Sequence, residues 1–195
     1  EVERAMDAVE QEGYGVLGQW TVPTDVAPLP DFISELGANL LSSCPASGVM
    51  ATGNDLETVA IFSVVAAAGQ AASVIIVVPA SYATDARYRY RIASALGTDS
   101  SWSVQQALAV VAQRRPVCLT PLADRALLAL PDMRPMRFVL VAGPGTTSSD
   151  RVVTVTDLAR ADRQGRSSWL REVHAVYTAA AGFNPRLCDG PLALL

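Results

Sequence analysis

The longest apolar run lies between Asn54 and Pro79, NDLETVAIFSVVAAAGQAASVIIVVP, and no charged residue occurs between Glu57 and Asp85. The character of the run changes at Gly69-Gln70. From Asp55 to Ala68 the spacing predicts a helix, with Val59, Phe62 and Ala66 on one side and Ile61, Val65 and Ala68 on much of the other. A helix that is apolar all round packs on more than one side. Asn54 is placed to cap it, and Asp55 and Glu57 sit where the helix dipole favours negative charge. From Ser73 to Val78 the chain turns β-branched and is stopped by Pro79, the pattern of a strand covered on both faces. Val59 to Val78 would also be long enough to cross a bilayer as one helix. Ser63, Gln70, Ser73 and the change at Gly69 favour the buried helix–strand pair instead.

The same reading orders the rest of the chain. Glu1 to Glu12 predicts an acidic amphipathic helix, Tyr14 to Val22 a strand, and Pro23 to Pro30 a loop. Asp31 caps a helix through about Leu41, and Gly48 to Ala51 is a short strand leading into Gly53-Asn54. Ser81 to Leu96 reads as one helix stopped by Gly97, followed by a helix opened by Ser101 or Ser103 and closed by Pro116. Val117 to Leu119 is a brief strand and Pro121 to Leu130 a short helix. Met136 to Ala142 and Arg151 to Thr156 read as strands. Their connecting loop is too short for a parallel crossover, so they are expected to form an antiparallel hairpin over 136–156. Ser167 or Ser168 caps a last helix ending near Gly182 to Pro185, and the tail LCDGPLALL is apolar enough to dock. Helices alternating with strands predict a single α/β domain over 1–195, a layered sheet of mostly parallel strands with the hairpin at one end. The start at Glu1 leads us to expect a piece of a longer protein.

Composition narrows the function classes. The chain has 195 residues, enough for a substantial core, with 50% hydrophobic and 17% charged residues. The net charge of −4 gives no general affinity for nucleic acid or an anionic membrane. All 15 basic residues are arginine, and isoleucine and asparagine are scarce, which reads as the codon bias of a GC-rich genome. Cys44, Cys118 and Cys188 lack metal-ligand spacing, so no metal is expected. The expectation is three unpaired thiols, with Cys44 and Cys118 as small core residues. Pairing of Cys188 with one of them is the alternative in an oxidising compartment. With no signal-peptide pattern in view, the bacterial cytoplasm is favoured.

Few motifs carry chemistry. Gly53-Asn54-Asp55 joins a strand to the central helix, the place where open α/β sheets bind ligands. The loop Gly143-Pro144-Gly145-Thr146-Thr147-Ser148-Ser149 could cradle a phosphate with its backbone N–H groups, though it lacks the lysine of a P-loop and leads to a strand rather than a helix. Gly53, Asn54, Asp55, Gly143, Gly145, Thr146 and Thr147 are therefore the candidate ligand-binding residues. Arg87-Tyr88-Arg89-Tyr90-Arg91 interleaves base and aromatic, with Asp85 placed to pair with Arg89, and Arg87, Tyr88 and Arg91 are the candidate contact residues for another protein. His174 lies beside an apolar helix face, with neither a G-x-S-x-G nucleophile elbow nor clustered carboxylates to work with. No catalytic residue and no cofactor are assigned.

The lysine-free, Ala/Val-rich stretches VAIFSVVAAAGQAASVIIVV and ARADRQGRSSWLREVHAVYTAAAGFNP resemble the alanine-rich conserved proteins of mycobacteria and related actinobacteria. Some of these belong to domain families of unknown function found near type VII secretion loci. The resemblance is one of composition, and no residue role follows from it. It implies a bacterial source and an accessory or interaction role. The expected function is a non-enzymatic protein-interaction domain. The alternative is a small-molecule or phosphate-binding enzyme domain built on the loops at 53–55 and 143–149.

Overall fold

The computed structural model describes residues 29–68, 74–124, 126–144, 154–165 and 167–195. The helix and strand expected before Pro23, and most of the 143–150 loop, lie outside these. A five-stranded sheet has the order β2-β1-β3-β5-β4, where β1 is Val49–Ala51, β2 Ile75–Val77, β3 Val117–Leu119, β4 Arg134–Met136 and β5 Val139–Ala142. β1 pairs in parallel with β2 and β3, whereas β5 pairs antiparallel with β3 and β4. The fold is α/β, but the sheet is mixed rather than mostly parallel.

The antiparallel part differs from the expected 136–156 hairpin. The apolar run at 136–142 breaks at Arg137-Phe138, and the chain folds back so that Arg134 faces Val141 and Met136 faces Val139. Arg137 takes the left-handed conformation (φ 51°) that so short a turn requires. Of the second expected strand, residues 151–153 lie outside the described ones, Thr154 and Val155 are not strand, and Thr156 opens a helix. A tertiary contact selects that helix. The Glu35 carboxylate, on the first described helix, accepts from the backbone N–H groups of Asp157 (3.1 Å) and Leu158 (3.0 Å) and from the Thr154 hydroxyl (3.0 Å). It caps the new helix from a distant part of the chain.

The helices are α1 (Asp31–Ser43), α2 (Asp55–Ala68), α3 (Pro79–Thr84), α4 (Ala86–Leu96), α5 (Val104–Val111), α6 (Thr156–Gln164) and α7 (Leu170–Phe183). α1 packs against α2 and α6, and α7 against α2 and α6; α3, α4 and α5 pack on one another. Every residue of β1 and β3 is fully buried, as strands with both faces covered must be. The single helix expected over Ser81 to Leu96 is broken at Asp85, whose carboxylate accepts from the N–H groups of Arg87 and Tyr88 and so caps α4. Ser103 and Gln106 form a reciprocal capping box that starts α5. Only a 3₁₀ turn, Leu127–Ala129, forms where a helix over 121–130 was expected. The C-terminal tail docks through buried Leu187 and partly buried Leu192.

The central run is thus a helix and a strand, and no helix among the described residues is long and apolar enough to cross a membrane. α2 is as buried as its sequence demands, and it lies unusually close to α1. A Cβ on Gly37 would fall 1.9 Å from the Ala60 carbonyl oxygen, so only glycine fits there. Gly37→Ala should push the helices apart and lower stability by about 2 kcal/mol, as overpacked cores do. A urea titration measures this, and an unchanged midpoint would mean that the contact is slack.

Polar side chains of α1 stitch the same region. Asn39 donates to the Thr154 carbonyl (2.6 Å) and the Tyr177 hydroxyl (2.9 Å), and Ser43 Oγ accepts from the Phe138 N–H. The edge of Phe138 meets the Tyr177 ring, and burial holds the Tyr177 hydroxyl above its ordinary range. Behind them, Cys44 at the end of α1 is disulfide-bonded to Cys118 in β3. The expectation of three unpaired thiols fails for this pair, because the fold brings Cys44, the residue that ends α1, beside Cys118 in β3. Cys188 is a free, exposed thiol.

Candidate functional site

Three parallel strands point their carboxyl ends the same way. Thr52-Gly53-Asn54 leaves β1, Val78-Pro79 leaves β2, and Thr120 to Asp124 leaves β3. From β1 the chain goes to β2 on one side; from β3 it continues towards β5 and β4 on the other. Such a divergence leaves a crevice beyond the strand ends, the usual ligand position in open α/β sheets.

A cavity of about 450 Å³ lies at this end. Val78, Pro79, Ala80, Ala83, Val104 and Leu127 give it an apolar wall, while Thr52, Asn54, Asp55, Ser103, Gln105 and Asp124 supply polar groups. Gln105 donates to the Ala126 carbonyl (2.9 Å), tying α5 to the loop after β3 and fixing one side of the mouth. The Asp124 carboxylate accepts from the Ala126 N–H, whereas Asp55 has no hydrogen-bond or ion-pair partner among the described residues. None of the described lining residues is cationic.

Glu57, fully buried, holds the β1 and β3 loops together beneath the cavity. One carboxylate oxygen accepts from the Gly53 N–H (2.8 Å) and the Thr120 hydroxyl (2.6 Å); the other accepts from the Leu122 N–H (3.1 Å). Asn54 Oδ1 accepts from the Glu57 N–H (2.9 Å), so the helix start and the clamp are one structure. Burial pushes the Glu57 carboxyl above the usual carboxylate range, and the bonds from Thr120, Leu122 and Gly53 partly offset this. The loops also touch directly, since a Cβ on Gly53 would fall 2.0 Å from the Leu122 carbonyl carbon. Thr58 donates its hydroxyl to Thr52 (2.8 Å) and so fixes the pocket floor.

The structure separates the sequence-predicted residues. Gly53, Asn54 and Asp55 line the cavity. Gly143 lies at the other end of the sheet: Ala142 pairs with Val117 at the start of β3, and Gly143 packs on the Ala112 and Arg115 carbonyls. One site cannot combine 53–55 with Gly143; Gly145, Thr146 and Thr147 are outside the described residues. Arg87 and Arg91 are exposed on α4, but Tyr88 is buried and its hydroxyl accepts from the Val78 N–H (2.9 Å), so it is a core pin rather than a contact residue. Arg89 donates to the carbonyls of Tyr82 and Ala83 and closes the end of α3, while Asp85 caps α4. His174 Nε2 lies 2.8 Å from an Asp162 carboxylate oxygen at the α6–α7 contact, away from the cavity.

Ser103, Gln105, Asp124 and the 78–83 wall were missed. For Asp124 and the 78–83 wall the signal was available, because the rule that pointed to Gly53 applies equally to the residues after VIIVV and after VCL; Ser103 and Gln105 follow a helix and are brought there by the packing of α5. The cap that Asn54 gives to the Glu57 N–H was legible in Asn54-Asp55-Leu56-Glu57, which has capping-box spacing, but the reach of Glu57 to Thr120 and Leu122 depends on tertiary structure.

Comparison with known proteins adds no relative. No family, curated protein or solved structure matches this chain.

Proposed function

We propose that this chain is a non-enzymatic binding domain of a bacterial protein, acting as an accessory module that engages another protein through the cavity at the carboxyl ends of β1, β2 and β3. The observation that carries this reading is the composition of that cavity: a continuous apolar wall faced by hydrogen-bonding groups, within the roughly 300–1,000 Å³ range of small-ligand and side-chain sites. Binding needs no more than such a wall and such a rim. Among the described residues the large exposed apolar side chains, Tyr90, Leu128, Trp169 and Leu195, are distributed over separate parts of the fold, so the concave site is the better contact point. The phosphate-binding alternative is weaker, because Asp55 and Asp124 would repel an anion and the 53–55 loop lies across the sheet from Gly143.

The Cys44–Cys118 bond supports an oxidising compartment over the bacterial cytoplasm, where thiols are kept reduced. An exported module agrees with the compositional likeness to actinobacterial, secretion-associated proteins.

A thermal-shift screen of the purified chain and of Ala83→Trp, which places a large side chain on the cavity wall, tests the reading. The compounds are amino-acid amides, short peptides, sugars and sugar phosphates. A compound at a hundred times its dissociation constant should stabilise the wild type by about 2.7 kcal/mol and leave the variant unmoved. Equal shifts in both proteins, or none in either, would overturn the cavity as the binding site.

A further inference from the structure

We infer that the cavity receives an alkylguanidinium or alkylammonium group, the side chain of an arginine or lysine presented by the partner protein. The inference rests on the reading of the cavity as the binding site and adds the chemistry of what enters it. Three independent features of the cavity converge. Its wall of Val78, Ala80, Ala83 and Val104 is apolar and suits the methylene stem of a long basic side chain, which packs along apolar surface while its head stays polar. The formal charges among the described lining residues are both negative, Asp55 and Asp124. They come from different elements, α2 and the loop after β3, and Glu57 fixes these two elements to each other. Asp55 is the more telling, because it is an exposed carboxylate that no described residue pairs with. Gln105, whose Nε2 is tied to the Ala126 carbonyl, adds a neutral oxygen acceptor, and the oxygens of Asn54 and Ser103, which each accept one cap bond, keep a second lone pair for a head group that only donates.

The position of Asp55 also weighs against an anionic ligand. A helix start ordinarily attracts anions, but Asp55 stands in the first turn of α2 and supplies that negative charge itself. A phosphate or carboxylate at this helix start would be repelled by the Asp55 charge.

The test uses the whole 195-residue chain, isotopically labelled, titrated by NMR with N-acetyl-arginine methylamide, N-acetyl-lysine methylamide, the uncharged citrulline analogue and N-acetyl-aspartate methylamide. The basic compounds should shift the amides of Asn54, Ala83, Ser103 and Gln105 saturably. Citrulline should bind at least roughly tenfold more weakly, the loss expected when a charge-assisted hydrogen bond becomes a neutral one. Asp55→Asn and Asp124→Asn should each weaken arginine binding, more at low salt than at high, with the fold unchanged by the rest of the spectrum. A peptide carrying a central arginine should bind more tightly than the free amide if a partner protein supplies the side chain; equal affinity would assign the site to a free basic metabolite and overturn the partner half of the inference. If citrulline or aspartate shifts the same amides as strongly as arginine, the charge assignment is wrong while the cavity remains a binding site. If no compound moves these amides, the cavity reading itself falls.

Discussion

Glu57→Ala should lower stability by about 3 kcal/mol, because the Leu122 N–H is left without an acceptor in the interior and a cavity opens beside it. The Gly53 N–H is affected less, since it also reaches Thr120 Oγ1 (2.9 Å). Removing a desolvated carboxylate offsets part of the loss, which is why the figure is not larger. Glu57→Gln is not a neutral replacement. In one orientation its NH₂ group opposes the Leu122 N–H, and in the other the Gly53 N–H, so about 1–2 kcal/mol is still lost. The dependence on pH separates this clamp from ordinary packing. Burial holds the folded pKa of Glu57 above the ordinary carboxylate range, so between the unfolded and folded pKa the folded protein keeps a proton that the unfolded chain has released. Its contribution is full below the unfolded pKa and fades as pH rises through the folded one. The urea midpoint of the wild type, followed upward from acid pH, should therefore fall relative to that of Glu57→Gln; a constant difference would show that Glu57 does not titrate across that window.

Replacing both Cys44 and Cys118 with alanine should cost about 4 kcal/mol, from the chain entropy restored to an unfolded state whose cross-link spans a sequence separation of 74. The bond should also resist reductant while the protein is folded. Cys118 is fully buried and Cys44 nearly so, and exchange needs a thiolate to reach a sulfur. Alkylation followed by mass measurement should find one reactive thiol, Cys188, in native protein with dithiothreitol, and three once urea is added. Three reactive thiols without urea would show that the bond is absent or accessible, and the argument for an oxidising compartment would go with it.

Much of the framework could be read from the chain because local pattern and tertiary demand agree there. α2 is apolar along its length and buried through Leu56, Ala60, Ile61, Phe62 and Val65, while Val59, Ser63 and Ala66 form a partly exposed side; VCL and the strand after it lie in the sheet; Ser103 opens its helix with the capping partner three residues on. The failures share a cause. RVVTVT alternates like a strand, yet Thr156 begins a helix because Glu35, far back in the sequence, supplies the cap. Tyr88 sits between arginines and looks like surface, but its ring is turned inward by a hydrogen bond to Val78. Cys44 and Cys118 bond because the fold brings together residues 74 apart in sequence, a contact no local window contains. The cavity was half legible, since the loop after β1 was recognised as a binding position while its other walls depend on the strand order β2-β1-β3.

Pro135, exposed in the outermost strand β4, bears on how copies of this domain can associate. Proline offers no N–H, so that margin of the sheet cannot present the full row of donors and acceptors on which a further strand would build. Fibrous growth or dimerisation by strand addition at that margin is thereby discouraged. Among the described strands, the β2 margin carries no such obstacle, and its carboxyl end runs into Val78 and Pro79 of the cavity wall.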